Sequence, residues 1–169
     1  MILRDAQVLD GTGELFEDAT LQFDPESGRV EAVGDAHPRG DEPAYDLAGK
    51  TVVPGLVDAH VHFSLSGEAS VDEVASMSDA ELALVEARNA RTTLEAGVTG
   101  VRVMGARDLD VLVRDRIERG DIAGPRTVAN CRSITITGGH GHHLGREVDG
   151  PTECRKAVRE QVKRGAQFI

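Results

Sequence analysis

From Pro54 onward the sequence repeats one unit: an apolar, β-branched run, a stretch with helical periodicity, a glycine, and another apolar run. Residues 56–63, Leu56 to Phe63, have the pattern of a strand and are followed by a long polar connection. Ser78-Asp79-Ala80-Glu81 then forms an S-x-x-E capping box, with Ser78 as N-cap and Glu81 reaching back. The helix it opens runs through Leu82, Val85, Asn89 and Leu94 to Gly97, a natural residue just past a helix end. A strand over 98–104 follows at once. A second helix, carrying Leu109, Leu112, Val113 and Ile117, ends at Gly120, and a strand begins near 126–129. A third helix opens at Pro151, well placed in a first turn after Gly150, and ends at Gly165. Residues 166–169 read as the start of another strand. Strand, helix, glycine, strand is the signature of βα units on a parallel sheet, so the expected fold class is α/β.

The first 53 residues have a different texture. Short apolar stretches at 2–3, 8–9, 19–23, 30–33 and 51–53 alternate with turn signals such as Asp10-Gly11-Thr12-Gly13 and Asp24-Pro25-Glu26-Ser27-Gly28. They predict a small antiparallel sheet, and hence two regions, 1–53 and 54–169. The βα series stops inside an element. A chain end within a buried parallel strand leaves backbone groups unpaired, so the chain is expected to be incomplete.

Charge excludes some functions. The chain has 29 acidic against 19 basic residues, a net charge of -10, which argues against a nucleic-acid partner. No apolar run is long enough to span a membrane, and residues 1–5 lack the pattern of a secretory signal. Cys131 and Cys154 imply no disulfide framework, and a cytoplasmic location is expected. Lysine occurs only at positions 50, 156 and 163, so arginine supplies most of the positive charge. Many acids with scarce lysine suit a surface hydrated at high salt, where self-repulsion is screened. A halophilic source is expected; a GC-rich coding sequence is the other explanation.

Asp58-Ala59-His60-Val61-His62 carries the strongest chemical signal. In a strand, residues two apart project to one face, so Asp58, His60 and His62 are expected to form one row; on a helix they would diverge. Imidazoles at the C-terminal end of a parallel strand stand where such sheets assemble active sites, and neutral imidazole suits zinc and other first-row metals. His60 and His62 are therefore expected to bind a divalent metal, with zinc favoured. Asp58 either orients a ligand from the second shell or simply caps backbone. Arg102, late in a strand, either meets a substrate carboxylate or pairs with a neighbouring acid. His140-Gly141-His142-His143 is flanked by glycines that let backbone approach a ligand. His142 and His143 are expected to be structural or exposed, and His37 to lie at the surface.

The stretch 46–62, from Asp46-Leu47-Ala48-Gly49-Lys50 through Val53-Pro54-Gly55-Leu56-Val57-Asp58-Ala59-His60-Val61-His62, resembles the barrel entry of the amidohydrolase superfamily. Thr93-Leu94-Glu95-Ala96-Gly97-Val98-Thr99-Gly100-Val101-Arg102 is similar to the second-strand region of its imidazolonepropionase and Xaa-Pro dipeptidase-like branch. Thr135-Ile136-Thr137-Gly138-Gly139-His140-Gly141-His142 resembles the histidine loop after strand 3. The resemblance covers essentially the whole chain. It implies the first half of a (β/α)8 TIM barrel, preceded by part of a small β-sandwich, with the first three βα units and the start of strand 4 in 54–169. It implies that His60 and His62 hold the more buried of two metal ions, and that His140 contacts substrate. The family's bridging lysine follows a sequence like Gly165-Ala166-Gln167-Phe168-Ile169, whose end lies one residue short of it. Relatives commonly have aspartate after Val-Arg, where this chain has Val103.

These expectations point to a metal-dependent amidohydrolase that cleaves a C–N bond (amide, dipeptide or cyclic amide) with a metal-activated hydroxide, on a small-molecule or dipeptide substrate. No catalytic residue is assigned within the chain, and a homo-oligomer is left open. The competing expectation is a noncatalytic truncated fragment, or one subunit of a split barrel.

Overall fold

The computed structural model describes residues 1–34, 42–67 and 70–169. His37 lies outside the described residues. The chain divides into two compact units, Met1–Pro54 and Gly55–Ile169.

The first unit is one five-stranded sheet. β1 (Ile2–Leu9), β2 (Leu15–Asp24) and β3 (Arg29–Gly34) form an antiparallel meander. β4 (Ala44–Asp46) and β5 (Thr51–Val52) both pair with β1 in parallel. The sheet is therefore mixed rather than purely antiparallel. The β1–β2 turn is closed by Asp10, whose Oδ1 accepts from the Thr12 and Glu14 N–H groups at 2.8 and 2.9 Å. Ala6, Val8 and Ala19 are buried on one face, with Phe16, Leu21, Val33, Leu47 and Val52 packed against them. Ala6 and Ala19 are cross-strand partners, so two small buried residues face each other across the pair.

The second unit is a parallel sheet of three strands in the order β6 (Leu56–Val61), β7 (Val98–Val103), β8 (Arg126–Ala129). Each crossover carries helix: α1 (Val71–Ser76) and α2 (Asp79–Glu95) lie between β6 and β7, and α3 (Leu109–Glu118) between β7 and β8. A two-residue parallel pair, β9 (Ile134–Thr135) with β10 (Arg146–Glu147), precedes α4 (Gly150–Arg164). Ser78 and Glu81 make the expected capping box on α2, and Gly97 and Gly165 take the positive φ that ends α2 and α4. The polar connection after β6 contains an element the sequence reading lacked. Ser70 and Glu73 form a second capping box, on the short α1. Among the described residues no strand follows α4; the Gln167 N–H donates to the Ala129 carbonyl at 2.8 Å, and the Gln167 Oε1 accepts the Ala129 N–H at 3.2 Å.

Period-two alternation sorts the strand residues. Val101 and Val103 are buried beneath α2 and α3 with Phe63, Ala90 and Val113, whereas Arg102 between them is exposed. Thr127 and Ala129 are buried, and Val128 between them is exposed. Burying a side chain the size of Phe63 is worth about 3 kcal/mol.

The helix layer also encloses carboxylates. Glu86 on α2 and Asp110 on α3 are fully buried. Burial, then the neighbouring Asp110, pushes the Glu86 carboxyl up to about 8, with Arg107 acting the other way. Burial pushes Asp110 up to about 6, opposed by backbone N–H groups that include that of Cys131, bonded at 3.2 Å. The Arg107 guanidinium donates to the Val74 and Met77 carbonyls at 3.2 and 2.7 Å and pairs with Asp79 at 3.4 Å. One side chain thereby holds the C-terminal end of α1 and the start of α2 against the β7–α3 loop.

Candidate metal-binding and substrate site

The β6–β7 ladder is irregular where the histidines begin. Asp58 is opposite Val101 and Val61 opposite Val103, so three steps on β6 match two on β7. The bulge takes the His60 N–H off the ladder, and the Asp58 Oδ1 accepts it at 3.0 Å. Asp58 is exposed, and its recorded contact is with this backbone group rather than with a ring. The Val61 carbonyl accepts from the Met104 N–H at 2.8 Å, and the strand then gives way to a turn in which the Leu65 N–H reaches the His62 carbonyl. His62 thus stands one residue past the strand.

The two rings remain neighbours, with centroids 5.4 Å apart and planes at 68°. His60 is exposed and His62 half-buried. Burial foremost, then the nearby His60 and His140, lowers the His62 pKa below the ordinary imidazole value, while a hydrogen bond with the Met104 backbone raises it. A neutral imidazole has a free lone pair, so these conditions favour the ligand form. Two imidazole donors on one edge suit a divalent first-row ion. Among the described residues, no third His, Cys, Asp or Glu completes a metal-holding group with them.

Glycines shape the second histidine cluster. β9 and β10 close the base of the 136–145 loop, where the Arg146 N–H donates to Ser133 and the Val148 N–H to Thr135 at 2.8 and 2.9 Å. A Cβ on Gly139 would come within 2.3 Å of the Thr135 hydroxyl, and Gly138 and Gly141 have φ of +69° and +70°. The loop needs glycine there for close packing and for left-handed backbone. The Asp149 carboxylate accepts from the Thr137 hydroxyl, and Glu147 accepts from the Gly138 N–H at 2.6 Å. His142 contacts the Gly139 carbonyl through Nδ1 at 3.0 Å and stacks on His143 at 3.7 Å, so it serves the loop itself.

The structure brings His62 and His140 to one cleft of about 430 Å³, which His143 also lines. Leu65, Val71, Asp72, Ser133 and Leu144 complete most of its walls. His60 and Arg102 are not among the lining residues. The Arg102 guanidinium lies 4.2 Å over the Phe168 ring, a cation–π contact rather than an ion pair. Sequence reasoning missed the contribution of α1 to this cleft. The available signal was Ser70-Val71-Asp72-Glu73, the same S-x-x-E pattern that marks α2.

A family model described as the amidohydrolase family matches residues 51–169. The chain belongs to this family. Within it, the chain is 33% identical over 134 residues to an imidazolonepropionase from Nocardia farcinica, an alignment that covers 79% of this chain and 32% of that protein. Among solved structures, this amidohydrolase chain is similar to a prolidase complexed with N-methylphosphonate-L-proline, with 30% identity and a TM-score of 0.83 over 98% of this chain and 44% of that one. It is also similar to a Xaa-Pro dipeptidase with methionine bound in its active site, at 27% identity and a TM-score of 0.84, covering 99% of this chain and 45% of the other. The mixed α/β fold is that of amidohydrolases, consistent with a partial TIM barrel. The chain spans about a third of the Nocardia protein and under half of these solved relatives.

Proposed function

We propose that this amidohydrolase chain supplies the first metal ligands and part of the substrate pocket of a metal-dependent hydrolase acting on a C–N bond, in a dipeptide or a cyclic amide. The observation that carries the reading is the juxtaposition of the edge-to-face His60–His62 pair with a cleft containing His62 and His140. His60 and His62 would hold a divalent ion, zinc foremost. Such an ion, when bound, lowers the pKa of a water and polarises a carbonyl. The residues of the chain have separate tasks. Asp58 fixes the bulge that presents His60, and burial favours the neutral form of His62. His140 would hydrogen-bond a substrate carbonyl or carboxylate. Arg102 has a different place in this reading: its stacking on Phe168 makes it a support for the sheet end before it is a substrate contact.

Because the chain spans only part of its relatives, the reaction is proposed of a longer protein carrying it. Residues 1–53 are read as part of a small β-sandwich, and 54–169 as three βα units leading into a fourth strand. Two imidazoles are half of an ordinary zinc ligand set, so zinc affinity of the 169 residues alone is expected to be weak. The test is metal analysis combined with hydrolysis of Xaa-Pro dipeptides and a cyclic imidazolone amide by a protein carrying the chain. Bound metal and turnover are expected, both lost in His60→Ala and His62→Ala. Turnover that survives chelation and both substitutions would overturn the proposal. No described helix is long and apolar enough to cross a membrane. The acidic surplus is read as salt adaptation, so melting temperature is expected to rise from about 0.1 to 3 M KCl; a flat profile would remove that reading.

A further inference from the structure

The cleft has three kinds of wall. His62, His140 and His143 supply imidazoles, Leu65, Val71 and Leu144 supply apolar surface, and the exposed Asp72 supplies the one carboxylate among the described lining residues. Asp72 differs from the acids around it. Glu73 accepts the Ser70 N–H at 2.7 Å, Asp79 pairs with Arg107 at 3.4 Å, and Asp58 accepts the His60 N–H at 3.0 Å. Among the described residues, no hydrogen bond or ion pair engages the Asp72 carboxylate. Its position is nevertheless built. Val74 anchors α1 with no exposed surface, the Ser70–Glu73 box closes one end of the helix, and Arg107 holds the Val74 and Met77 carbonyls at the other.

A carboxylate without a protein partner, beside apolar side chains in a cleft, attracts cations and repels anions. We propose that Asp72 makes this cleft selective for ligands bearing a protonated amine beside an apolar group, with the amine at Asp72 and the apolar group against Leu65, Val71 and Leu144. An aminoacyl compound with a free amino terminus has that chemistry, whereas an anionic ring compound does not. The inference rests on the proposed function in taking this cleft as the substrate site, and it chooses between the two substrate classes left open there.

The probes are L-leucinamide and N-acetyl-L-leucinamide, which share the apolar group and differ in the charged amine. Binding is followed by NMR through the methyl signals of Leu65, Val71 and Leu144, at about pH 6.5, where an α-amine is protonated and an ordinary aspartate ionised. L-leucinamide is expected to bind about fivefold more tightly than its acetylated form, the scale of a solvent-accessible ion pair. Asp72→Asn should abolish that preference, while Glu118→Gln, which removes an exposed acid outside the cleft, should leave it intact. Equal binding of the two probes to the unaltered protein would overturn the inference. So would a preference that persists in Asp72→Asn, or an absence of shifts at the cleft methyls with either probe. None of these readouts uses catalysis. Hydrolysis without an amine preference would defeat this inference and spare the proposed function, and an amine preference without metal or turnover would do the reverse.

Discussion

The two faces of the parallel sheet come from the same strands and obey opposite rules. On the face covered by helices, Val101, Val103, Thr127 and Ala129 are buried, and Phe63 seals the end beneath α2. On the other face, His60, Arg102 and Val128 are exposed. A backbone with a two-residue period must send neighbouring side chains to opposite sides, so stability and chemistry are separated within a single strand. Substitutions on the covered face should cost folding and leave the chemistry to follow passively; substitutions on the open face should do the opposite.

The largest expected break is Phe63→Ala. Removing this buried ring should lower unfolding free energy by about 3–5 kcal/mol in urea denaturation, through lost transfer energy and the cavity left behind. A loss under about 1 kcal/mol would mean that the helix-side core is not closed as described.

Glu86 tests the covered face by pH. Its folded-state pKa of about 8 lies above its ordinary 4.5, so the folded state holds the proton more tightly. Its favourable contribution is complete below the ordinary value and is lost as pH rises toward the folded one. Asp110 faces it with the same sign and Arg107 with the opposite sign. Glu86→Gln should therefore gain stability relative to the unaltered protein as pH rises from about 5 to 8, reaching a few kcal/mol, with little difference near pH 4. A difference independent of pH would show that Glu86 is not titrating in a buried place.

Arg107→Met probes the link between the covered face and the cleft wall. Loss of its bonds to the Val74 and Met77 carbonyls should cost about 1–3 kcal/mol. Amide exchange should accelerate most in α1, before any change in β7. Uniform acceleration across the second unit would place Arg107 in the general core instead.

His60→Ala has the smallest expected effect on folding, within about 0.5 kcal/mol, because the side chain is exposed. The same variant should lose zinc binding, measured by calorimetry. A fold that fails without His60, or zinc affinity that persists, would break the division between the faces.

Much of this architecture was legible because local signals agreed with the global pattern. Ser78 and Glu81 marked α2, Gly97 and Gly165 marked helix ends, and the β-branched residues between them marked β7. Element α1 was overlooked because six residues with one buried valine show no helical period, although the capping residues were present. The buried Glu86 was illegible for another reason. Apolar periodicity singled out Leu82, Val85 and Leu94, but the fully buried positions of α2 are Leu82, Glu86 and Ala90. Carboxylates are assigned to water by default, and only packing against α3 and its loop reverses that.

The sequence by itself determined the βα order, the ends of α2 and α4 and the His60–His62 pair, because these depend on spacing and on bonds between near neighbours. Tertiary structure decided the rest. The bulge at His60 depends on registry with β7, the cleft depends on α1 and the glycine loop converging from distant segments, and the Arg102–Phe168 contact joins residues far apart in the chain. Such relations are set by how elements pack, and period and propensity carry no information about partners that sequence order keeps apart.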